Sequence, residues 1–212
     1  MAEVQAHGNQ YEDRVIRELT GLSKKEYDNL KKNGYTSPMD LVKGLKVDFD
    51  GSIKTAADGN DVCFSDARRM TKHTEFRSYI GIYTQVDKNH KHFHTEYVFY
   101  FTPDNIHKLW KNNDVKVVHE YAEKISSIDW KDNTKVLEYR EKYKKSWLQE
   151  LNWDDSALIR LRPKVNHGSG KRGQSRLQCA MRLDSLLESG INYDKRSIDY
   201  TVVSGRRKFK KK

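Results

Sequence analysis

Two side chains in the N-terminal third of the chain could together act on a phosphodiester: Asp40 and Lys54. Asp40 sits in a short apolar run, Met39 to Val42, and Lys54 ends a second run that follows the turn-prone pair Asp50-Gly51. Two extended runs with a tight connection read as a β-hairpin, with Val47, Phe49 and Ile53 as strand residues. Strand side chains alternate, so Ser52 and Lys54 share a face that the hairpin folds back beside Asp40. A carboxylate and an ammonium converging on one point suit phosphodiester hydrolysis. The carboxylate holds Mg²⁺, the ion polarises a phosphate and its water, and the lysine stabilises or deprotonates that water. The plain alternative is a hairpin closed by a salt bridge, because an Asp and a Lys at this spacing recur by chance in a chain that is 33% charged.

The elements that must hold these groups can be read in order. Residues 9–21 carry an apolar stripe, Val15, Ile16 and Leu19 with Tyr11 beside it, which predicts a helix with Glu12 at its edge. Residues 23–32 predict a second helix, which Ser23 caps and Glu26 completes as a capping box. After Lys54 an extended run, Val62 to Phe64, leads to Ser65 as the expected cap of a short helix, with Asp66 in its first turn. Asp66 is the place to look for a further metal ligand, although an acid in a first helical turn is also ordinary dipole complementation. Arg68, Arg69 and Arg77 cluster nearby and could clamp a phosphate backbone. Arg77 to Val86 and Thr95 to Thr102 are the strongest strands and form the expected centre of the sheet. His90, His92 and His94 lie between them and read as solvated, since no acidic partner is arranged around them. Helical patterning follows at 104–113 and 131–151, while 115–125 reads as strand or helix.

These residues resemble the core of the PD-(D/E)XK nucleases, which include many type II restriction endonucleases and the archaeal junction resolvases. The likeness covers residues 1–100. Pro38-Met39-Asp40 stands where that family has Pro-Asp, with one residue inserted, and Ser52-Ile53-Lys54 stands where it has (D/E)-x-K. The resemblance implies a restriction-endonuclease-like α/β fold, a mixed central sheet flanked by helices. It also implies a Mg²⁺ site with Asp40 and Glu12 as ligands, Lys54 as the water-activating group, and Asp66 as a substitute for the carboxylate that Ser52 replaces. The activity implied is sequence-specific cleavage of double-stranded DNA, by a homodimer if the cut site is palindromic. A junction resolvase or repair nuclease is the next reading, and a non-catalytic nucleic-acid-binding module is the rival that Ser52 favours.

Charge bears on the partner. The net charge is +10, and residues 160–212 hold 15 Lys and Arg against 4 Asp and Glu. Such asymmetry points to a polyanion, and to nucleic acid more than to a membrane, because no amphipathic apolar face accompanies it. Ala157 to Val165 and Arg176 to Leu183 alternate apolar and basic residues around a Gly-rich basic loop and predict a long hairpin. Lys171 and Arg172 at its tip, with Gln174, Arg176 and Gln178, are the expected DNA contacts, since Arg and Gln carry the hydrogen-bonding edges that read guanine and adenine. The chain of 212 residues is expected to form a single domain, with a catalytic core at 1–110, a DNA-contacting part at 157–205 and a disordered basic tail at 206–212. No apolar run is long enough to span a bilayer and no secretory leader is visible. An intracellular location is therefore expected: cytoplasmic in a prokaryote, or nuclear if the basic tail is an address in a eukaryotic or viral setting. Cys63 and Cys179 read as buried free thiols.

Overall fold

A computed structural model describes residues 3–32, 37, 39–87, 89–168 and 173–203. The expected hairpin tip, with Lys171 and Arg172, and the basic tail lie outside the described residues. The fold is mixed α/β with two sheets. It divides into two compact units: residues 1–62, 75–102 and 190–212 form the first, and residues 63–74 and 103–189 the second. The two units interleave along the chain.

The first unit is built on a four-stranded mixed sheet. Strand β1 (Gly51–Ala57) runs parallel to β3 (Phe76–Gln85), which pairs antiparallel with β4 (His90–Phe101), and β4 pairs antiparallel with β7 (Tyr193–Val203). The expectation that the two most β-prone runs form the sheet centre holds. Helix α1 (Glu3–Thr20) buries Tyr11, Val15 and Ile16 in a cluster with Ile53, Tyr79, Phe93 and Val98. It stops at Gly21, whose φ of +73° is a conformation only glycine adopts cheaply, and the Gly21 N–H closes on the Arg17 carbonyl at 2.9 Å. Helix α2 (Lys24–Leu30) has the expected capping box between Ser23 and Glu26.

The hairpin expected around Asp40 reduces to one antiparallel bridge, Leu41 with Gly51, closed by two backbone bonds of 2.9 Å. Val47 and Phe49 are loop residues rather than strand residues. Gly44 and Lys46 both take positive φ, +87° and +62°, which breaks any extended run between them. The Phe49 ring instead stacks under the Arg77 guanidinium, 3.8 Å from the ring centre. β1 then pairs with β3 rather than folding back along the Asp40 segment.

The second unit holds a three-stranded sheet in the order β2 (Val62–Asp66), β6 (Gln174–Met181), β5 (Ile159–Asn166). The predicted hairpin is present as antiparallel β5 and β6, and the second half of the expected DNA-contacting part, β7, belongs to the other sheet. Helix α3 (Ala67–Met70) is capped by Asp66 rather than Ser65. The remaining helices are α4 (His107–Trp110), α5 (Val115–Ser126), α6 (Asn133–Glu138), α7 (Lys144–Glu150) and α8 (Leu183–Glu188), with a π-type turn, Tyr139–Tyr143, joining α6 to α7. Residues 115–125 thus resolve as helix, whose Val118, Tyr121, Ala122 and Ile125 are buried. Cys179 is buried and its thiol is pushed up by burial, while Cys63 is exposed, against the reading of both as buried. Pro163 sits on β5, an edge strand among the described residues, where proline is tolerated.

Candidate functional site

In the first unit Lys54 and Asp40 meet as the spacing suggests. Lys54 Nζ lies 2.7 Å from Asp40 Oδ2 and also donates to its own neighbour's carbonyl, Ile53 O, at 2.9 Å. The same Asp40 oxygen accepts the Ile53 N–H at 2.6 Å, so the carboxylate is pinned to β1 from outside the sheet. The Leu41–Gly51 bridge sets that approach. A Cβ on residue 51 would come within 2.9 Å of Leu41 Cδ1, so glycine lets the two backbones close.

Glu12, on α1, lies near enough for the Asp40 charge to act on it, and its own ion-pair partner is Lys24, at 2.9 Å. Burial and then the Asp40 charge raise its carboxyl above the usual range, while Lys24 and, more weakly, Lys54 pull it back. A carboxyl whose ionisation a neighbouring carboxylate disfavours is a place where a divalent cation would be stabilised. The helix is held by a second network: the Tyr11 hydroxyl donates to the buried Glu96 at 2.6 Å and Arg14 to the same oxygen at 3.1 Å. The Tyr11 ring stacks on Phe93 with centroids 4.8 Å apart. Position 81 must be glycine for this, since a Cβ there would lie 2.5 Å from Tyr11 Cζ.

Lys24 is a member of this site that the sequence reading missed. Its Nζ bridges Glu12 at 2.9 Å and Asp28 at 2.7 Å, and Asp28 is paired in turn with the nearly buried Lys31 at 2.8 Å. Burial works against the Lys24 charge, but the hydrogen bonds it donates to Asp28 and Glu12 raise its pKa overall. The Asp28 partner, four residues on along a helix, is a sequence signal; Glu12 is not, because only the packing of α1 on α2 brings it there. The cluster therefore alternates charge: Asp40 with Lys54, Glu12 with Lys24. Ser52 is buried, at 6% exposure, in the position that the resemblance reserves for a carboxylate.

The other residues expected from the sequence have partners of their own. Asp66 belongs to the second unit, and its Oδ1 accepts from Arg68 N at 2.9 Å and Arg68 Nε at 3.2 Å. That makes it a helix cap and the partner of Arg68, which also reaches Glu123 at 3.8 Å. Arg69 is exposed on the same helix. Arg77 lies in the first unit, between the rings of Phe49 and Tyr100. The three histidines do have acidic partners: His90 Nδ1 lies 2.8 Å from Asp87, His92 Nδ1 3.7 Å from Asp199 and His94 Nε2 3.1 Å from Asp58. His94 is skipped in both strand registers, so the alternation that would align all three is broken there. Among the described residues no three His, Cys, Asp or Glu side chains form a metal-binding group.

In the second unit the β5–β6 pair presents a basic face. Arg160 stands opposite Ala180, Arg162 opposite Gln178, Lys164 opposite Arg176 and Asn166 opposite Gln174. The alternate residues Ile159, Val165, Leu177, Cys179 and Met181 are buried. Neither strand contains an Asp or Glu. Lys164 and Arg176 face each other directly, a like-charge pair that costs stability until an anion screens it. Trp130 packs against the backbone of Gly173, where a Cβ would meet its ring at 2.0 Å, and this marks the entry to β6. Arg160, Arg162 and Lys164 extend the contact set expected from sequence; the apolar–basic alternation of Ala157 to Val165 is the signal for them.

Among the described residues no helix is long and apolar enough to cross a membrane. No family model, curated protein or solved structure matches the chain.

Proposed function

We propose that the protein is a Mg²⁺-dependent endonuclease that cleaves double-stranded DNA in the manner of a type II restriction enzyme, with Glu12, Asp40 and Lys54 as its catalytic constellation. The observation that carries this reading is the Lys54–Asp40 pair, 2.7 Å apart and partly exposed, with Glu12 on α1 near enough for the charges of both to act on its carboxyl. Two carboxylates suit Mg²⁺, which keeps several waters and takes one or two protein carboxylates with a substrate phosphate. When bound, the ion would polarise the scissile phosphate and lower the pKa of a water. Asp40 and Glu12 would hold the ion; Asp40 is already fixed by the Ile53 N–H, so its orientation needs no rearrangement of the strand. Lys54 would exchange its bond to Asp40 for the attacking water or a phosphate oxygen, where its ammonium opposes the charge that develops in the transition state. Ser52 can offer a hydroxyl there but no charge. The basic β5–β6 face would hold the DNA through its phosphates, with Arg176, Gln174 and Gln178 available to base edges.

Incubation of the protein with mixed DNA and Mg²⁺ tests the reading. Discrete fragments support a sequence-specific enzyme, and the same assay should go silent for Lys54→Ala and Asp40→Ala while DNA binding persists. Cleavage retained by Asp40→Ala would remove the site. Binding without any cleavage by the parent would favour a nucleic-acid-binding module that kept the ion-paired cluster as structure; the serine at position 52 is the observation on that side.

A further inference from the structure

A recess of about 840 Å³ opens in the second unit beside β5. That volume lies within the roughly 300–1,000 Å³ usual for small-ligand sites. We infer that it receives one unstacked base of a nucleic acid strand held on the basic β5–β6 face, with Trp153 as the stacking surface. This rests on the nucleic-acid reading of that face and adds a specific subsite to it.

The wall chemistry fits a nucleotide group by group. Trp153 is half-buried, so it offers ring surface while it is held in place. Base stacking on an aromatic side chain accepts any base, because every base has a π-face. Gln149 and Asn152 supply amide donors and acceptors, and Asp155 a carboxylate acceptor, which together match the mixed edge of a base. Leu148 lines the apolar side. The wall is a consequence of how α7 ends. Leu151 caps the helix, and Asn152 then takes φ +45°, a left-handed turn that Asn tolerates better than most residues.

The link to the basic face is covalent. Arg160 and Arg162 line the recess, and both also belong to the outward ladder of β5, opposite Ala180 and Gln178. A phosphate engaged by either guanidinium therefore has its nucleoside within reach of the recess. β5 is the edge of its sheet, so no further strand closes that side among the described residues. A base that has left its stack could pass over this edge. Extrusion costs least where the base is mispaired or already single-stranded, so an unpaired position should be preferred.

The test uses the full chain in EDTA, so that nothing is cut, with three DNAs: a fully paired duplex, the same duplex with one mispaired 5-iodouracil, and a single strand carrying 5-iodouracil. Irradiation followed by peptide mapping should place the crosslink on Trp153 for the mispaired duplex and the single strand. Trp153→Ala should lower affinity for those two by about tenfold while leaving the paired duplex nearly unchanged. Trp153→Phe should keep most of the preference, and its melting curve reports whether the fold survives. If the parent binds duplex DNA but crosslinks elsewhere, and Trp153→Ala binds all three DNAs like the parent, the recess is not a base site and the basic face stands without it. If the parent binds none of the three, the recess proposal and the nucleic-acid reading fall together.

Discussion

The ionisation of Glu12 couples the candidate site to the stability of the fold. Its folded-state pKa is raised, first by burial and then by Asp40. For such a group the stabilising contribution is complete below the unfolded value, near 4.5, and is lost as pH rises through the raised folded value. Above that value the ionisation of Glu12 therefore counts against the fold. Glu12→Gln should melt at a higher temperature than the parent at pH 7, with the difference closing as the pH falls below about 4.5, and it should lose cleavage. Thermal melts across that pH range check the first part; a parent that outmelts the variant at pH 7 would contradict it. Lys24 acts in the opposite sense, since its charge and hydrogen bond lower the Glu12 pKa. In Lys24→Met the acid limb of the cleavage profile should move to higher pH, and Lys24→Arg should restore it. Asp40 and Lys54 were legible because they flank one turn. Lys24 was not, because its link to Glu12 exists only once two helices pack.

At the scale of elements, the site depends on how closely α1 rides on the sheet. Gly81 on β3 is a point of close approach, with the Tyr11 ring and Phe93 both inside the space that a methyl group would need. Gly81→Ala should destabilise the protein by about 1–3 kcal/mol through overpacking. It should also reduce cleavage beyond that loss, measured where the variant is still folded, because α1 carries Glu12. Full activity in a folded Gly81→Ala variant would mean that Glu12 is not part of the working site. The strands β3 and β4 were legible from β-branched and aromatic runs, and α2 from its capping box. The segment 42–50 was misread because Val47 and Phe49 alternate like strand residues. Their burial comes instead from a loop turned by Gly44 and Lys46 and clasped by Arg77. Nothing local announces that β1 should take β3 as a parallel partner, a pairing set by the core that both strands share with α1.

Across the whole molecule, charge is the feature that composition reported best and position reported least. The excess after residue 160 is visible in any count, but β7 adds none of it, since Lys195 and Arg196 are matched by Asp194 and Asp199, while β5 and β6 display Arg160, Arg162, Lys164 and Arg176 with no acidic residue, and Lys171, Arg172 and the basic tail lie outside the described residues. The display has an internal cost, since Lys164 and Arg176 oppose each other across the ladder. This yields a pair of effects with opposite signs. Lys164→Gln should stabilise the DNA-free protein by roughly 0.2–1 kcal/mol, because it removes a like-charge cross-strand pair. The same change should weaken binding to duplex DNA of any sequence and flatten the dependence of log K on log salt by about 0.9 for each phosphate no longer neutralised. Arg176→Gln should do both and, in addition, cost on the order of 1–3 kcal/mol on a preferred sequence alone if its guanidinium reads a base. Melting curves without DNA and titrations at two salt concentrations, on preferred and scrambled duplexes in EDTA, separate these effects. A surface held only for folding would gain stability on neither substitution and leave the salt slope where it was. A polyanion-binding face gains stability and loses slope together.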